Sequence, residues 1–357
     1  MIRSRVHENT IRSRRRSLVT RKSRTPLMKI FVSGATGFIG AALTRRLLDD
    51  GHQVNALVRS PSKADPLSHP SLTLFQGDLS DIRTIGDTMA GCDAAFHLAA
   101  YAKVWARDPA RYFDLNVLGT EAVMQAAVDH GIKKIVITST AGVWGPSLRG
   151  TINESSARDI DFLNEYESSK ALADSRAKDY IIQNGLDAVF VCPTRVYGPY
   201  LIGETGSITS LVERYLFSGW KIIPGRGDQI GNYIFLDDVV EGQIRALEKG
   251  TSGRTYILGG VNATYNEFFR VLGEVSGLSR RMIHLPLWIQ HLFTRLQLLG
   301  ARWFGKEPAL TPSWMGKSLY HWEIDPSRMV SELGVQPTGL EEGLRKTVEW
   351  MRSRSLA

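Results

Sequence analysis

Tyr166-Glu167-Ser168-Ser169-Lys170 sets a phenol and an ammonium four residues apart. On a helix that spacing stands both side chains on one face, one turn apart. An unperturbed phenol ionises only at about pH 10, so it exchanges protons poorly at neutral pH. A neighbouring ammonium favours the phenolate, and the spacing therefore predicts a lowered phenol pKa. Such a phenol can exchange a proton with a carbonyl or alcohol oxygen. Thr138-Ser139-Thr140 ends the apolar run before it, and a hydroxyl there can hydrogen-bond the reacting oxygen. For Thr138 and Ser139 plain packing at a strand end is the favoured reading. Asn116 places an amide in the middle of the preceding helical segment.

A second constellation opens the chain's first strand–turn–helix: Ser33-Gly34-Ala35-Thr36-Gly37-Phe38-Ile39-Gly40. Gly34 allows a turn that a Cβ would forbid. Gly37 lets backbone N–H groups approach a pyrophosphate, and Gly40 lets the helix start close to the sheet. The residues from Gly34 to Gly40, with Thr36, Phe38 and Ile39, are the expected dinucleotide contacts. After the second strand, Arg59 stands where an acid would read a ribose 2′-hydroxyl, and Lys63 follows. Cations there suit a 2′-phosphate, hence NADP, with NAD still open. The alternative for Arg59 is stacking on adenine whichever dinucleotide binds. Asp78 and Leu79 follow the third strand, where Asp78 can accept from the adenine amino group. Leu98, Ala99 and Ala100 follow the fourth, where small residues let a cofactor lie close.

These groups need a scaffold that brings strand ends together. Apolar runs at Lys29–Ser33, Gln53–Val58, Leu72–Gln76, Ala94–Leu98, Lys134–Ser139 and Ala188–Cys192 alternate with helical patterns such as Ile39–Asp50 and Pro109–His130. The alternation predicts an α/β fold, a Rossmann-type doubly wound parallel sheet with helices on both faces. Asp108 and Pro109 suit the start of the second helix, and Gly131 its end. After Pro193 the pattern turns irregular through Tyr197–Gly206 and Pro224–Gly231. A helix at Asp237–Lys249 and a strand at Thr255–Leu258 then return to the sheet. The expected division is a nucleotide-binding domain over 28–200 with segments returning at about 232–260. A smaller, mostly helical substrate lobe would span 201–350, interleaved with it.

Taken together, the Gly-x-x-Gly-x-x-Gly turn, Asp78-Leu79, His97-Leu98-Ala99-Ala100, Asn116-Val117-x-Gly-Thr, Thr140, Tyr166/Lys170 and Pro193-Thr194-Arg195-Val196-Tyr197-Gly198-Pro199 resemble the extended short-chain dehydrogenase/reductase superfamily over about residues 28–350. That group includes NAD-dependent epimerases and dehydratases. The resemblance implies Tyr166 as acid/base, Lys170 binding the nicotinamide ribose while tuning Tyr166, and Thr140 at the catalytic Ser/Thr position. It implies that Asn116 is structural or part of a proton relay, and that Pro193, Thr194 and Val196 meet the nicotinamide carboxamide. It also implies a homodimer through helices at Pro109–His130 and Phe162–Asn184.

Nucleotide-sugar members of that superfamily usually hold the substrate diphosphate with an Arg before an Asp-aromatic pair. This chain reads Gly231-Asn232-Tyr233 there, and Arg226 in the loop is the available substitute. The apolar stretch Leu285-Pro286-Leu287-Trp288-Ile289-Gln290-His291-Leu292-Phe293, continuing to Phe304, is similar to segments in the dihydroflavonol 4-reductase and 3β-hydroxysteroid dehydrogenase-like branch. It reads as a helix packed on its own lobe, a lid over an apolar substrate, or a helix at a membrane surface. Tyr101–Pro109 is similar to a hopanoid-associated bacterial branch of sugar epimerases, which keeps a sugar substrate open. The expected reaction is NADP(H)-dependent reduction of a ketone or aldehyde, or oxidation of a secondary alcohol, on a small molecule. A sugar epimerase or dehydratase is the alternative, and a non-catalytic dinucleotide sensor a remote one.

Charge excludes one class. The formal net charge is +8, but residues 1–27 hold nine of the 44 Lys/Arg and one of the 36 Asp/Glu, so the remainder is neutral. A basic domain built for nucleic acid is not indicated. Three readings of the tail stay open: a start at Met28, an organellar targeting segment, or an arm for nucleic acid or a membrane surface. It lacks the apolar segment of a secretory signal. Cys92 and Cys192 have neither CxxC nor metal-ligand spacing, so they read as buried thiols of a reducing, cytoplasmic compartment, with no metal. No apolar run is long enough to span a membrane.

Overall fold

The computed structural model describes residues 26–200, 207–304, 308 and 311–355. The basic tail up to residue 25 and residues 201–206 of the irregular segment lie outside the described residues.

Strands β1 (Lys29–Ser33), β2 (Gln53–Val58), β3 (Leu72–Gln76), β4 (Ala94–His97), β5 (Lys134–Thr138) and β6 (Ala188–Pro193) build one sheet. β7 (Arg195–Tyr197), β8 (Ile222–Pro224) and β9 (Ile230–Phe235) follow, then β10 (Thr255–Leu258), β11 (Val261–Thr264) and β12 (Ile283–Leu285). β10 returns to close the main sheet in the order β10-β6-β5-β4-β1-β2-β3, with every pairing parallel. The strand order reverses between β1 and β4, which is where a crevice opens at the carboxyl ends of a doubly wound sheet. β11, β9 and β7 form a small second sheet beside it, and β12 pairs with β8.

The alternation of β1 explains the two layers. Ile30 and Val32 face one apolar core, completed by helices α1 (Phe38–Asp49) and, later, α7 (Leu236–Lys249). Phe31 faces the opposite core, under α2 (Ile82–Met89), α4 (Gly119–Asp129) and α5 (Glu165–Asn184). A third core, with Tyr197, Val212, Phe268 and Leu344, belongs to the C-terminal lobe. That lobe carries α6 (Ser207–Phe217), α8 (Tyr265–Ser276), α9 (Leu287–Phe304), α10 (Pro312–Gly316) and α11 (Leu340–Ser355).

Element ends differ from the sequence reading by a residue or a few, for identifiable reasons. α5 begins at Glu165 rather than Phe162, because the Asn164 side chain accepts from the Glu167 N–H and caps the helix. The expected helix over 109–130 is not uniform. A short α3 (Ala110–Phe113) passes through a π turn, Asp114–Leu118, before α4. Asp108 does cap the start, accepting from the Ala110 N–H at 3.0 Å, and Gly131 follows the end at φ +64°.

The turn after β1 is the tightest place in the sheet. Gly34 has φ +79°, and a Cβ at Gly40 would stand 2.0 Å from the Gly34 carbonyl oxygen. No side-chain flexibility relieves a clash with backbone. Gly40→Ala is expected to lower stability by roughly 1–3 kcal/mol, the usual cost of overpacking. A denaturant midpoint that falls at unchanged m-value checks it.

Candidate active site

Asn164 fixes where α5 starts, and that start puts Tyr166 in the first turn and Lys170 one turn further, on the same face. Lys170 is buried and Tyr166 is partly exposed. Thr140 leaves the end of β5 as the cap of a short 3₁₀ turn, Ala141–Trp144, and accepts from the Gly142 N–H at 3.2 Å. Its hydroxyl is turned to the Tyr166 phenol, whose ionisation it favours. Thr138 and Ser139 are spent elsewhere. Thr138 accepts from Gln243 at 2.7 Å, and Ser139 donates to the buried Asp174 at 2.5 Å.

The electrostatics differ from the sequence expectation. Burial pushes the Tyr166 phenol up, with Asp174, Cys192 and Glu167 adding to the shift and Thr140 opposing it. Burial also pulls the Lys170 ammonium down, against Asp174. Desolvation sets the direction of both shifts. In this state the phenol is protonated at neutral pH, the form that gives a proton rather than takes one.

Between Tyr166 and Lys170, Glu167 is completely buried. Arg158 reaches it at 3.0 Å and Lys317 at 2.7 Å. Arg158 also donates to the carbonyls of Gly142 and Val143, at 2.7 and 3.2 Å. Lys317 comes from the C-terminal lobe, where its ammonium lies 4.6 Å from the Trp314 ring centre. Trp314 in turn stacks on Tyr166, with ring centres 6.2 Å apart and planes 25° apart. No local spacing in the sequence marks Arg158, Trp314 or Lys317.

Asn116 lies in the π turn, buried. Its carbonyl accepts from the Tyr101 N–H at 2.7 Å, and its amide donates to Tyr101 O at 3.2 Å and Ser169 Oγ at 2.9 Å. It ties the loop after β4 to α5. Next to it a directed chain of hydrogen bonds fixes the tautomer of His97. Thr120 donates to Asn116 O at 2.7 Å, so it must accept from His97 Nε2–H at 3.0 Å. The bare Nδ1 then accepts from Ser33 Oγ at 2.7 Å, and Ser33 accepts from the Ala99 N–H at 3.3 Å. Burial holds His97 neutral, pulling it down to about 3, with Lys170 adding to the shift.

The crevice between β1 and β4 fits a dinucleotide. A Cβ on Gly34 would lie 2.7 Å from Ala99 N, and one on Gly37 3.2 Å from Gly34 O, so the cradle exists only for glycines. No side chain caps α1 at Gly37, which leaves its first N–H groups facing outward from a half-exposed turn. Asp78 sits after β3, where the Ser80 hydroxyl and amide hold its carboxyl below the usual range, with Arg59 and Arg111 contributing. Arg59, which acts on it, is exposed, as is Lys63. Leu79 packs under the helix: a Cβ on Gly119 would meet Leu79 Cβ at 2.8 Å. Leu98 and Ala99 line the near side of the Gly34 turn. Pro193 ends β6, and Thr194 donates to Asn232 at 2.7 Å. Val196 lies in β7 opposite Ile234.

On the substrate side, Arg226 does not replace the missing arginine of the Gly231 position. It is 91% exposed and pairs with Asp228. Asn232 is structural, bonded to Gly260, Asn262 and Thr194. α9 turns its apolar residues outward: Trp288, Leu292, Phe293 and Leu296 are 53–68% exposed while Gln290 and Thr294 are buried. No helix among the described residues is long and apolar enough to cross a membrane. Cys92 and Cys192 are free and buried.

With this geometry in hand, similarity to known proteins is informative. The model of the NAD dependent epimerase/dehydratase family matches residues 30–259. The chain is 31% identical over 331 residues to a Synechocystis sp. protein carrying a dihydroflavonol 4-reductase name, covering 90% of this chain and 94% of that one. It is 30% identical over 342 residues to sterol demethylase protein B of Methylococcus capsulatus, covering 92% and 100%. Its fold matches the UDP-glucose 4-epimerase of Thermotoga maritima, solved with UDP-glucose, at a TM-score of 0.77 and 23% identity over 92% of this chain and 100% of that one.

The buried neutral His97 has a consequence for acid stability. Its ordinary value of 6.5 falls to about 3 in the fold, so below pH 6.5 the unfolded chain binds a proton that the fold refuses. This contribution is complete above pH 6.5 and is lost as pH falls towards 3, with a slope of about 1.4 kcal/mol per pH unit for one proton. His97→Gln is expected to be less stable at pH 8 and to lose stability less steeply between pH 6 and 4. Parallel urea titrations at each pH measure both slopes, and equal slopes would mean that His97 is protonated in the fold.

Proposed function

Because the chain belongs to the NAD dependent epimerase/dehydratase family, among the extended short-chain dehydrogenase/reductases, we propose that it is an NADP(H)-dependent enzyme that reduces a ketone or aldehyde, or oxidises a secondary alcohol, on an apolar or mixed small molecule. The observation that carries this reading is the aromatic wall over the acid: Trp314 stacked on Tyr166. That face suits an apolar body next to the reacting carbon. The relative named as a dihydroflavonol 4-reductase supports it, as does Asn232, whose amide is committed to protein partners.

The Gly34–Gly40 turn would hold the pyrophosphate, with Thr36, Phe38 and Ile39 lining it. Arg59 and Lys63 would hold the 2′-phosphate, and Asp78 and Leu79 the adenine. Leu98, Ala99 and Ala100 would border the cofactor, Lys170 would hold the nicotinamide ribose, and Pro193, Thr194 and Val196 the carboxamide. The bound dinucleotide supplies the hydride that reaches the carbonyl carbon. Thr140, beside the phenol, would hydrogen-bond the carbonyl oxygen. Tyr166 gives its phenolic proton to that oxygen as charge develops there, and regains one from solvent, so each turnover consumes one proton. Asn116 positions rather than reacts, by fixing Tyr101 and Ser169. The substrate lobe over 201–350 closes the site with Trp314 and Lys317. Leu118, Leu172 and Ile182 stand 57, 40 and 82% exposed along the two long helices, which supports a homodimer through that face. The exposed stripe on α9 supports contact with a membrane surface without spanning it.

Purified protein is expected to oxidise NADPH with members of a ketone and aldehyde panel. Turnover of a nucleotide sugar with no net cofactor consumption would instead establish the epimerase reading. Tyr166→Phe should lower kcat by about 10²–10⁴-fold, the usual contribution of acid–base catalysis, with NADPH affinity by fluorescence titration little changed. Arg59→Glu should weaken NADPH by about tenfold to a hundredfold, the range for a lost charged hydrogen bond, while sparing NADH. Equal loss for both dinucleotides would assign Arg59 to adenine stacking.

A further inference from the structure

Arg195 begins β7, separated from the end of β6 by Thr194, and stands opposite Tyr233 in register. Its Nη1 donates to the hydroxyls of Tyr233 at 3.4 Å and Tyr265 at 3.2 Å. Its guanidinium carbon lies 5.6 and 5.4 Å from the centres of the same two rings. These contacts aim the group, but hydroxyls and ring faces do not neutralise it. Among the described residues no carboxylate lies within ion-pair distance of Arg195, and its Nε and Nη2 donate to no protein acceptor, although neither is sealed from solvent. The side chain is only partly exposed. An arginine held in a cleft without an acid is unusual, because withdrawn charges are ordinarily paired.

The neighbourhood is already short of negative charge. Lys317 and Arg158 share the single carboxylate of Glu167. Arg195 and Arg158 both add to the downward shift that burial imposes on the Lys317 ammonium. Gly231 makes the arrangement possible: a Cβ there would stand 2.3 Å from Arg195 Nη1. The glycine is the space that the guanidinium fills.

We infer that Arg195 binds a carboxylate on the substrate through its free Nε and Nη2 edge. That edge is planar and presents two parallel donors, which matches a carboxylate bidentately. Lys317 is turned to Glu167, so recognition falls to the two parallel donors of Arg195. The substrate class narrows to an oxo acid or hydroxy acid whose body lies against Trp314. The inference deepens the reductase reading and rests on it for the reaction, but not for the binding.

The test uses matched ligands on the full chain. With NADPH, 3-oxodecanoate should be reduced at least tenfold more efficiently than its methyl ester, judged by kcat/KM. Arg195→Met should lower the acid's kcat/KM at least tenfold more than the ester's, and Arg195→Lys should restore part of the preference. Calorimetry with decanoate, NADP present, should show at least tenfold weaker binding to Arg195→Met. Decanoate binding that depends on Arg195, with neither ketone reduced, would keep the carboxylate site and remove the reductase reading. Equal treatment of acid and ester by the unmodified chain would overturn the inference. So would equal loss of both in the variant, decanoate binding indifferent to the substitution, or tighter binding of decyl phosphate than of decanoate.

Discussion

A single buried carboxylate holds the reacting groups in register. Glu167 is fully withdrawn from solvent, and an unpaired charge there would be prohibitive. Its two cations come from separate parts of the chain, Arg158 from the loop ahead of α5 and Lys317 from the C-terminal lobe. Arg158 simultaneously grips the carbonyls of Gly142 and Val143, in the turn that Thr140 caps. Gly142 lacks a side chain where a Cβ would stand 3.1 Å from Glu167 Oε1. The helix of Tyr166, the turn of Thr140 and the lobe of Trp314 therefore meet at one point. Removing one partner of such a cluster leaves charge uncompensated, which typically costs about 3–5 kcal/mol. The clamp buys position more than net stability.

The opposite wall is neutral and directional. From Ala99 through Ser33, His97 and Thr120 to Asn116, every donor has one acceptor, so the loop after β4 cannot shift against β1 without breaking the chain. Asn116 then extends the same constraint to Ser169 on α5. The π turn is what lets Asn116 serve both Tyr101 and Ser169. π turns recur at functional sites because one added residue re-aims a side chain without ending the helix. Leu79 under Gly119 fixes the same helix to the loop after β3. Sequence motifs that lie far apart in the chain are thus parts of one packed assembly.

The legible part of this protein was the local part. Strands, the glycine turn and the Tyr166–Lys170 spacing follow from periodicity, backbone sterics and helix geometry, all of which act within a few residues. The start of α5 lies three residues later than the sequence pattern suggests, because a cap depends on side-chain orientation, not on type alone. The π turn was invisible because its cause is a set of tertiary hydrogen bonds. The phenol's direction of shift was misread for a related reason. Spacing reveals the neighbouring Lys170, but not the burial that Trp314 and the lobe impose on Tyr166. Arg158 and Lys317 carry no local signal, since each acquires meaning only through Glu167.

Gly231 shows how a position can mislead where a volume does not. Read along the chain, a glycine at the arginine position means that no guanidinium is available there. In the fold, the guanidinium arrives from the neighbouring strand, and the missing Cβ is the condition for its arrival. The guanidinium beside this position is anchored on β7, not on β9. That anchor matters for reach. β7 starts one residue, Thr194, past the carboxyl end of β6, whereas β9 stands one strand further out in the small sheet. An anion held from β7 is held within electrostatic reach of Lys317, whose partner Glu167 follows Tyr166 in α5. A compact molecule, with its charged group a few bonds from its reacting carbon, satisfies that geometry better than one whose charge lies beyond a long nucleotide arm.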